Sequence, residues 1–375
     1  MKIGLLTVHC SKNPGASLQA HALSKKLTEL CGVENVEVID YRPLYFLDPM
    51  DPIRRKQWTF KERIKALLIG RAQQRRYDMF QTFNREYLPR LTSRYNAPSN
   101  LKMADWDYDI YICGSDQIWN PQNIRHDTSF FFDFVPTKAA VFASYAASIG
   151  QDYLNKEDQE WLQKGIERFD MVSIREEAGV ELARGLLHSN SIVQSLDPTL
   201  LYSGSYWRLM AQRPEEVIPQ RYILYYPIQN TRFSYDMIDW LKNETGLPCV
   251  SLDGGIRKNP NARIQIRAYG PREFLWLIDH ASYIITNSFH GTALSLLLKK
   301  RVIAYRHSSR NSRLENLLGM LDLREIQISD IGDLNRMNWS QIAEKENKID
   351  ALLEEERKCS EQYLRAVLQK GGGCK

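Results

Sequence analysis

The sequence predicts an α/β protein made of two doubly wound, Rossmann-like domains facing across a cleft, and three observations carry that prediction. Strand-like apolar runs alternate with helix-length segments along most of the chain, the signature of parallel sheets covered by helices on both faces. The alternation starts afresh after a polar, proline-bearing stretch around Arg213-Pro214 and Pro219. A chain of 375 residues is also too long for one ordinary domain and comfortable for two.

The elements follow in order. Lys2 to Val8 reads as a strand, Asn13-Pro14-Gly15 as a turn, Ser17 to Leu30 as a helix and Val36 to Ile39 as the next strand. Asp109 to Cys113 is expected to be a buried strand ending in a Gly-Ser-Asp turn. Ala140 to Ala147 and Met171 to Ile174 are further strands, with helices over Asp158 to Phe169 and Glu176 to Leu187. The second series has strands at Tyr222 to Tyr226, Cys249 to Leu252, Tyr283 to Thr286 and Val302 to Tyr305. Its helices are expected at Ser234 to Glu244, Pro271 to His280, Thr292 to Lys300 and Ser312 to Leu321, with a long polar helix from about Trp339 to Gln369. The expected domains are therefore residues 1–204 and 205–340, with a carboxyl-terminal helix and tail at 341–375.

Composition narrows the class. With 43% hydrophobic and 25% charged residues the chain is that of a globular protein, neither disordered nor fibrous. No apolar run approaches the ~18–20 residues that span a bilayer, and the opening MKIGLLTVH reads as a strand rather than a signal peptide, so a cytoplasmic location is expected. The six cysteines are scattered, without CxxC or zinc spacing, and read as reduced, mostly core thiols. No metal ligand set is visible, and neither a metal nor a cofactor is expected.

The net charge of +5 is modest but uneven. Between Arg54 and Arg76, nine Lys and Arg residues face Glu62 alone, with Trp58, Phe60, Ile64, Leu67 and Leu68 interleaved. One reading is a solvated helix face over a core; the other is a peripheral patch for anionic lipid at the inner membrane surface or for another polyanion. No nucleic-acid recognition motif accompanies the charge.

Candidate chemistry sits where strands end. The segment YIITNSFHGTA delivers a strand into Asn287-Ser288-Phe289-His290-Gly291, with a helix expected from Thr292. Amides at a helix start favour an anion, Gly291 would let the backbone approach it, and Thr292 could cap the helix. The next loop, Arg306 to Arg313, carries three arginines, among them Arg310 and Arg313, able to clamp phosphate or carboxylate. Arg175 ends another strand and is either an anion contact or an ion-pair partner of Glu176 or Glu177. In Gly114-Ser115-Asp116-Gln117 the carboxylate of Asp116 is either a general base toward a hydroxyl or a turn cap. Gln117, Trp119 and Asn120 could hold a sugar, Trp119 by stacking unless it belongs to the core. The turn with Asn13 and Gly15 is similarly ambiguous, without the GxGxxG of a dinucleotide site.

Several blocks together, NPGASLQAHAL, GSDQIWNP, SYAASIG, SIREEAG, LDPTLLY, NSFHGTALSLLLKKRVIAY and SSRNSRLENLLGMLDL, occur in the order found in the polysaccharide pyruvyl transferase family, which the chain resembles over most of residues 1–325. The resemblance implies a GT-B-like pair of Rossmann-like domains. It further implies phosphoenolpyruvate as donor, and as acceptor a hexose-containing glycan or lipid-linked saccharide on which a pyruvate ketal is formed. It makes His290 the acid and matches Arg175 to a family arginine. Characterised members carry an arginine two residues before the histidine, where this chain has Ser288; Arg310 and Arg313 are expected to supply the missing charge. The donor set is then Arg175, Ser288, Phe289, Gly291, Thr292, Arg310 and Arg313. The acceptor set is Asn13, Gly15, Gly114, Ser115, Gln117, Trp119 and Asn120, with His290 and Asp116 catalytic. Two alternatives share the scaffold: a nucleotide-sugar glycosyltransferase, with Glu315 as a ribose ligand, and a non-catalytic sugar-binding homologue.

Overall fold

The computed structural model describes residues 1–136, 140–151, 153–252, 258–306 and 311–373. The chain divides into two compact units: Met1–Asp48 with Thr82–Leu201 and Glu354–Lys375, and Pro49–Gln81 with Tyr202–Leu353.

In the first unit, β1 (Ile3–Leu6), β2 (Val36–Val38), β3 (Ile110–Cys113) and β4 (Val141–Ser144) form a parallel sheet in the order β2-β1-β3-β4. Every residue of β1 and β3 is buried, as strands covered on both faces require. Single bridges from Ala143 to Met171 and Ala147 to Ile174 carry the sheet on to β5 (Ser173–Ile174), which pairs with β6 (Val193–Gln194). On the other edge, Val38 and Tyr41 bridge to Leu91 and Tyr95. Strand order thus runs outward in both directions from the β1–β3 pair, which is a topological switch point.

The second unit repeats the scheme. Its six parallel strands are β7 (Ile223–Tyr226), β8 (Cys249–Ser251), β9 (Ile264–Gln265), β10 (Tyr283–Thr286), β11 (Arg301–Tyr305) and β12 (Gln327–Ile328), arranged β12-β11-β10-β7-β8-β9. Here the order reverses between β7 and β10. Among the described residues no helix is long and apolar enough to cross a membrane.

The expected domain limits differ from this division in two places. Residues 49–81 belong to the second unit, because Arg75 pairs with Glu215 at 2.8 Å and the Arg76 guanidinium lies 4.2 Å above the Tyr269 ring. The end of the chain belongs to the first: the Leu196 amide donates to Ser360 Oγ at 3.0 Å and the Tyr363 hydroxyl to the Ser144 carbonyl at 2.7 Å. The expected long terminal helix is two, Trp339–Glu346 and Ile349–Lys370. The strands β6, β9 and β12 have two residues each, too few to show a periodicity in sequence.

Candidate functional site

At the switch point of the second unit, β10 ends in Thr286, whose hydroxyl donates to the Tyr226 carbonyl at the end of β7 (2.6 Å) and accepts from the Ser288 amide (3.0 Å). Asn287 then fastens β10 to the chain after β7. Its Oδ1 accepts from the Ile228 amide at 2.8 Å and its Nδ2 donates to the Gln229 carbonyl at 3.2 Å. The hydroxyl of Tyr305, the last residue of β11, donates to the same carbonyl at 2.9 Å. Three strand ends are thereby fixed together before the helix begins.

That helix is Phe289–Leu297, not the segment from Thr292 that the sequence suggested, and its cap is Ser288, whose Oγ accepts from the Gly291 amide at 3.1 Å. Thr292 lies inside the helix, fully buried, so it does not cap, and its Oγ1 has no hydrogen-bond partner among the described residues. His290 occupies the first turn, buried, with the Phe289 ring edge-on at 5.2 Å. Gly291 is required by packing: a Cβ there would come within 2.8 Å of Thr286 Oγ1 and 3.0 Å of the Tyr226 ring. The helix start is therefore pressed onto the ends of β7 and β10, and its dipole points at the chain around His290.

The arginine loop after β11 contributes less than expected. Arg306 is paired with Glu315 at 3.0 Å, which also engages the one carboxylate that favoured a ribose ligand. Arg313 is half-buried in the first turn of helix Ser312–Met320, and Arg310 lies outside the described residues.

In the first unit, Asn13 caps helix Pro14–Cys31 by accepting from the Gly15 amide at 3.0 Å, with proline in its favoured first position. The helix thus starts before Ser17, and Gly15 is a buried residue of its first turn. Gln19 on this helix donates to Thr7 Oγ1 (2.9 Å) and the Val8 carbonyl (3.1 Å) and accepts from the Ser115 amide (3.2 Å), locking the ends of β1 and β3 together. Gly114 has φ +144°, and a Cβ there would strike the Tyr145 carbonyl oxygen at 2.0 Å. Gly114 and Ser115 are buried, whereas Asp116 and Gln117 are partly exposed. The Asp116 carboxylate accepts from the Gln117 amide at 2.8 Å.

Two expectations here need correction. Trp119 is no stacking platform for a sugar: it is fully buried, stacked on Phe131 at 5.7 Å and edge-on to Phe169 at 5.4 Å. Asn120 is also buried, capping helix Pro121–Ile124 through the Asn123 amide (3.1 Å) and donating to Gln117 Oε1 (2.9 Å). Arg175, in turn, is held by Glu176 Oε1 at 3.0 Å and Asp197 Oδ2 at 2.6 Å, all three buried. Burial works against its charge, but Glu176 and Asp197 more than offset this, so it keeps its proton more firmly than usual. Two carboxylates already exceed its single charge, so its geometry is that of an ion cluster that closes this corner of the unit.

One constellation escaped the sequence reading. His9, just past β1, has Nε2 2.8 Å from Asp40 Oδ1 just past β2, and Arg42 Nε donates to the same oxygen. Burial would raise the Asp40 carboxyl; His9 and Arg42 beside it bring it down to about 2. The available signal was a histidine and an aspartate at the ends of two adjacent strands.

The family profile described as "Polysaccharide pyruvyl transferase" matches residues 13–309, which include both switch-point loops. The chain belongs to the polysaccharide pyruvyl transferase family. No curated protein was found to match it. Among solved structures, a UDP-N-acetylglucosamine 2-epimerase is similar over 99% of this chain and 97% of its own, at 10% identity and a TM-score of 0.59. The Staphylococcus aureus MnaA–UDP structure gives 0.55 at 10% identity over 99% and 97%, and the Neisseria meningitidis UDP-GlcNAc 2-epimerase gives 0.53 at 11% over 99% and 100%. Identities this low show the fold alone: two Rossmann-like domains of the GT-B class. Among the described residues of this family member, no three His, Cys, Asp or Glu side chains are placed to hold a metal ion.

Proposed function

We propose that this chain is a ketal-forming pyruvyl transferase that uses phosphoenolpyruvate as donor and a hexose of a polysaccharide, or of its lipid-linked precursor, as acceptor. The observation that carries the reading is the position of His290: a histidine in the first turn of a buried helix, at the switch point of the second unit, inside the family match. Ligands of open α/β sheets bind outside the carboxyl ends of strands at such points.

On this reading His290 protonates the methylene carbon of the enol, which becomes a methyl group while positive charge develops at carbon 2. One acceptor hydroxyl adds to that carbon and phosphate leaves. The second hydroxyl then closes the ketal. Of the two hydroxyl protons, one leaves with phosphate and one restores the acid, so the reaction balances without a cofactor. The helix start stabilises the donor's negative charge, and Arg313 is the described arginine assigned to it, in the role Ser288 cannot fill. Arg310 is proposed to share that role. In the first unit, Asp116 and Gln117 are the partly exposed polar side chains of the switch-point turn, and they are assigned to the acceptor, Asp116 as base. Asn13, Gly15, Gly114 and Ser115 shape the turns that present them.

The test is to incubate the protein with phosphoenolpyruvate and a panel of hexose-bearing oligosaccharides, following phosphate release and the new ketal methyl signal by proton NMR. The reading predicts both in equal amounts and neither with His290→Ala. Consumption of a nucleotide sugar in place of phosphoenolpyruvate would replace it by a glycosyl transfer.

A further inference from the structure

We infer that the amino-terminal half of helix Phe60–Tyr87 docks the protein onto an anionic lipid surface. The helix carries apolar side chains on two opposite faces. One face is packed: Ala66 and Ile69 are half-buried and Phe80 is buried. The opposite face exposes Phe60, Ile64, Leu67 and Leu68, at 77%, 44%, 86% and 65% of their full surface. Their spacing of i, i+4, i+7 and i+8 sets them in one stripe. Scattered exposed apolar residues need no explanation, but a continuous stripe on one helix face marks a surface that meets something.

The charge around the stripe identifies the partner. Lys61, Arg63 and Arg71 are exposed beside it or just beyond its end, and Arg55 and Lys56 are exposed in the turn before the helix. The nearest carboxylate, Glu62, is engaged: it pairs with Arg54 at 3.0 Å and accepts from the Thr59 amide at 2.7 Å. Within the sequence from Arg54 to Arg76, nine cations stand against that one acid, and of these Arg75 is paired with Glu215 from another segment. A second copy docked stripe to stripe would set these cations against their own kind. An anionic bilayer satisfies both features at once, because acyl chains take the stripe while headgroup phosphates neutralise the flanking lysines and arginines. The inference stands apart from the donor assignment, since none of these residues belongs to the His290 site.

Co-flotation of the full chain with vesicles of phosphatidylcholine, with and without phosphatidylglycerol, tests it. The wild type should bind the anionic vesicles and lose that binding as salt is raised. Leu67→Glu with Leu68→Glu, and separately Lys61→Glu with Arg63→Glu and Arg71→Glu, should each weaken binding about tenfold or more. All these side chains are exposed, so melting curves of the variants should match the wild type. Absence of wild-type binding to anionic vesicles would overturn the inference, as would undiminished binding by either variant. Sedimentation that shows a wild-type dimer abolished by the leucine changes would assign the stripe to self-association instead.

Discussion

Ser288 Oγ accepts a hydrogen bond from the Gly291 amide at 3.1 Å, and this bond sets where the His290 helix begins. The resemblance to the family leads to an arginine at this position; here Ser288 serves as a helix cap. The cap fixes the start of a first turn that Gly291 packs against Thr286 and Tyr226. Ser288→Ala should cost about 1 kcal/mol of stability, the usual value of a lost cap. Ser288→Asp should keep the cap and the melting temperature, yet weaken phosphoenolpyruvate binding at least about tenfold by placing a carboxylate beside an anion. Thermal melts and donor titrations of the two variants check the pair.

Arg313 is assigned the donor charge that Ser288 does not supply. Arg313→Ala should raise KM for phosphoenolpyruvate about tenfold or more while changing kcat less, and Arg313→Lys should recover part of the loss because it restores charge without the planar fork. Steady-state kinetics with varied donor separates the two parameters. An unchanged KM would remove Arg313 from the donor set.

Arg175 is expected to act on stability first. Removing it leaves Glu176 and Asp197 buried without their counter-charge, a loss of about 3–5 kcal/mol for a broken buried pair. Urea denaturation of Arg175→Ala should show a clearly lowered midpoint. A fully stable Arg175→Ala that only fails to bind the donor would instead return Arg175 to the donor set.

Glu346 gives a pH prediction. It is buried, its Oε1 has no hydrogen-bond partner among the described residues, and burial raises its pKa from 4.5 to about 7 with Arg301 opposing. The folded state holds this proton more tightly than the unfolded one. Its contribution is therefore full below pH 4.5 and is lost as pH rises toward 7. Glu346→Gln should flatten that slope and stabilise the protein at alkaline pH by on the order of 1 kcal/mol, once solvent screening is allowed for. Melting temperatures of both proteins across this range check it.

Much of the scaffold was legible because long apolar strands and amphipathic helices leave periodic patterns, and Tyr283 to Thr286 was readable to the residue. The start of the next helix was not, since Ser288 and Thr292 are both good caps, and the choice between them follows from the packing of Gly291 on Tyr226. Trp119 beside polar turn residues fits a sugar platform and a core equally well in sequence; only its neighbours Phe131 and Phe169 decide. The membership of residues 49–81 rests on contacts such as Arg76 with Tyr269, far apart in the chain. His9 with Asp40 was the readable pair that went unread, because each residue looks ordinary until adjacent strands set them side by side.

Calorimetric titration of phosphoenolpyruvate into the wild type, His290→Ala and Arg313→Ala tests the central claim most directly. The account predicts micromolar binding to the wild type, weakened by His290→Ala and weakened about tenfold or more by Arg313→Ala. No binding to the wild type at near-millimolar donor, with or without acceptor saccharide, would contradict it.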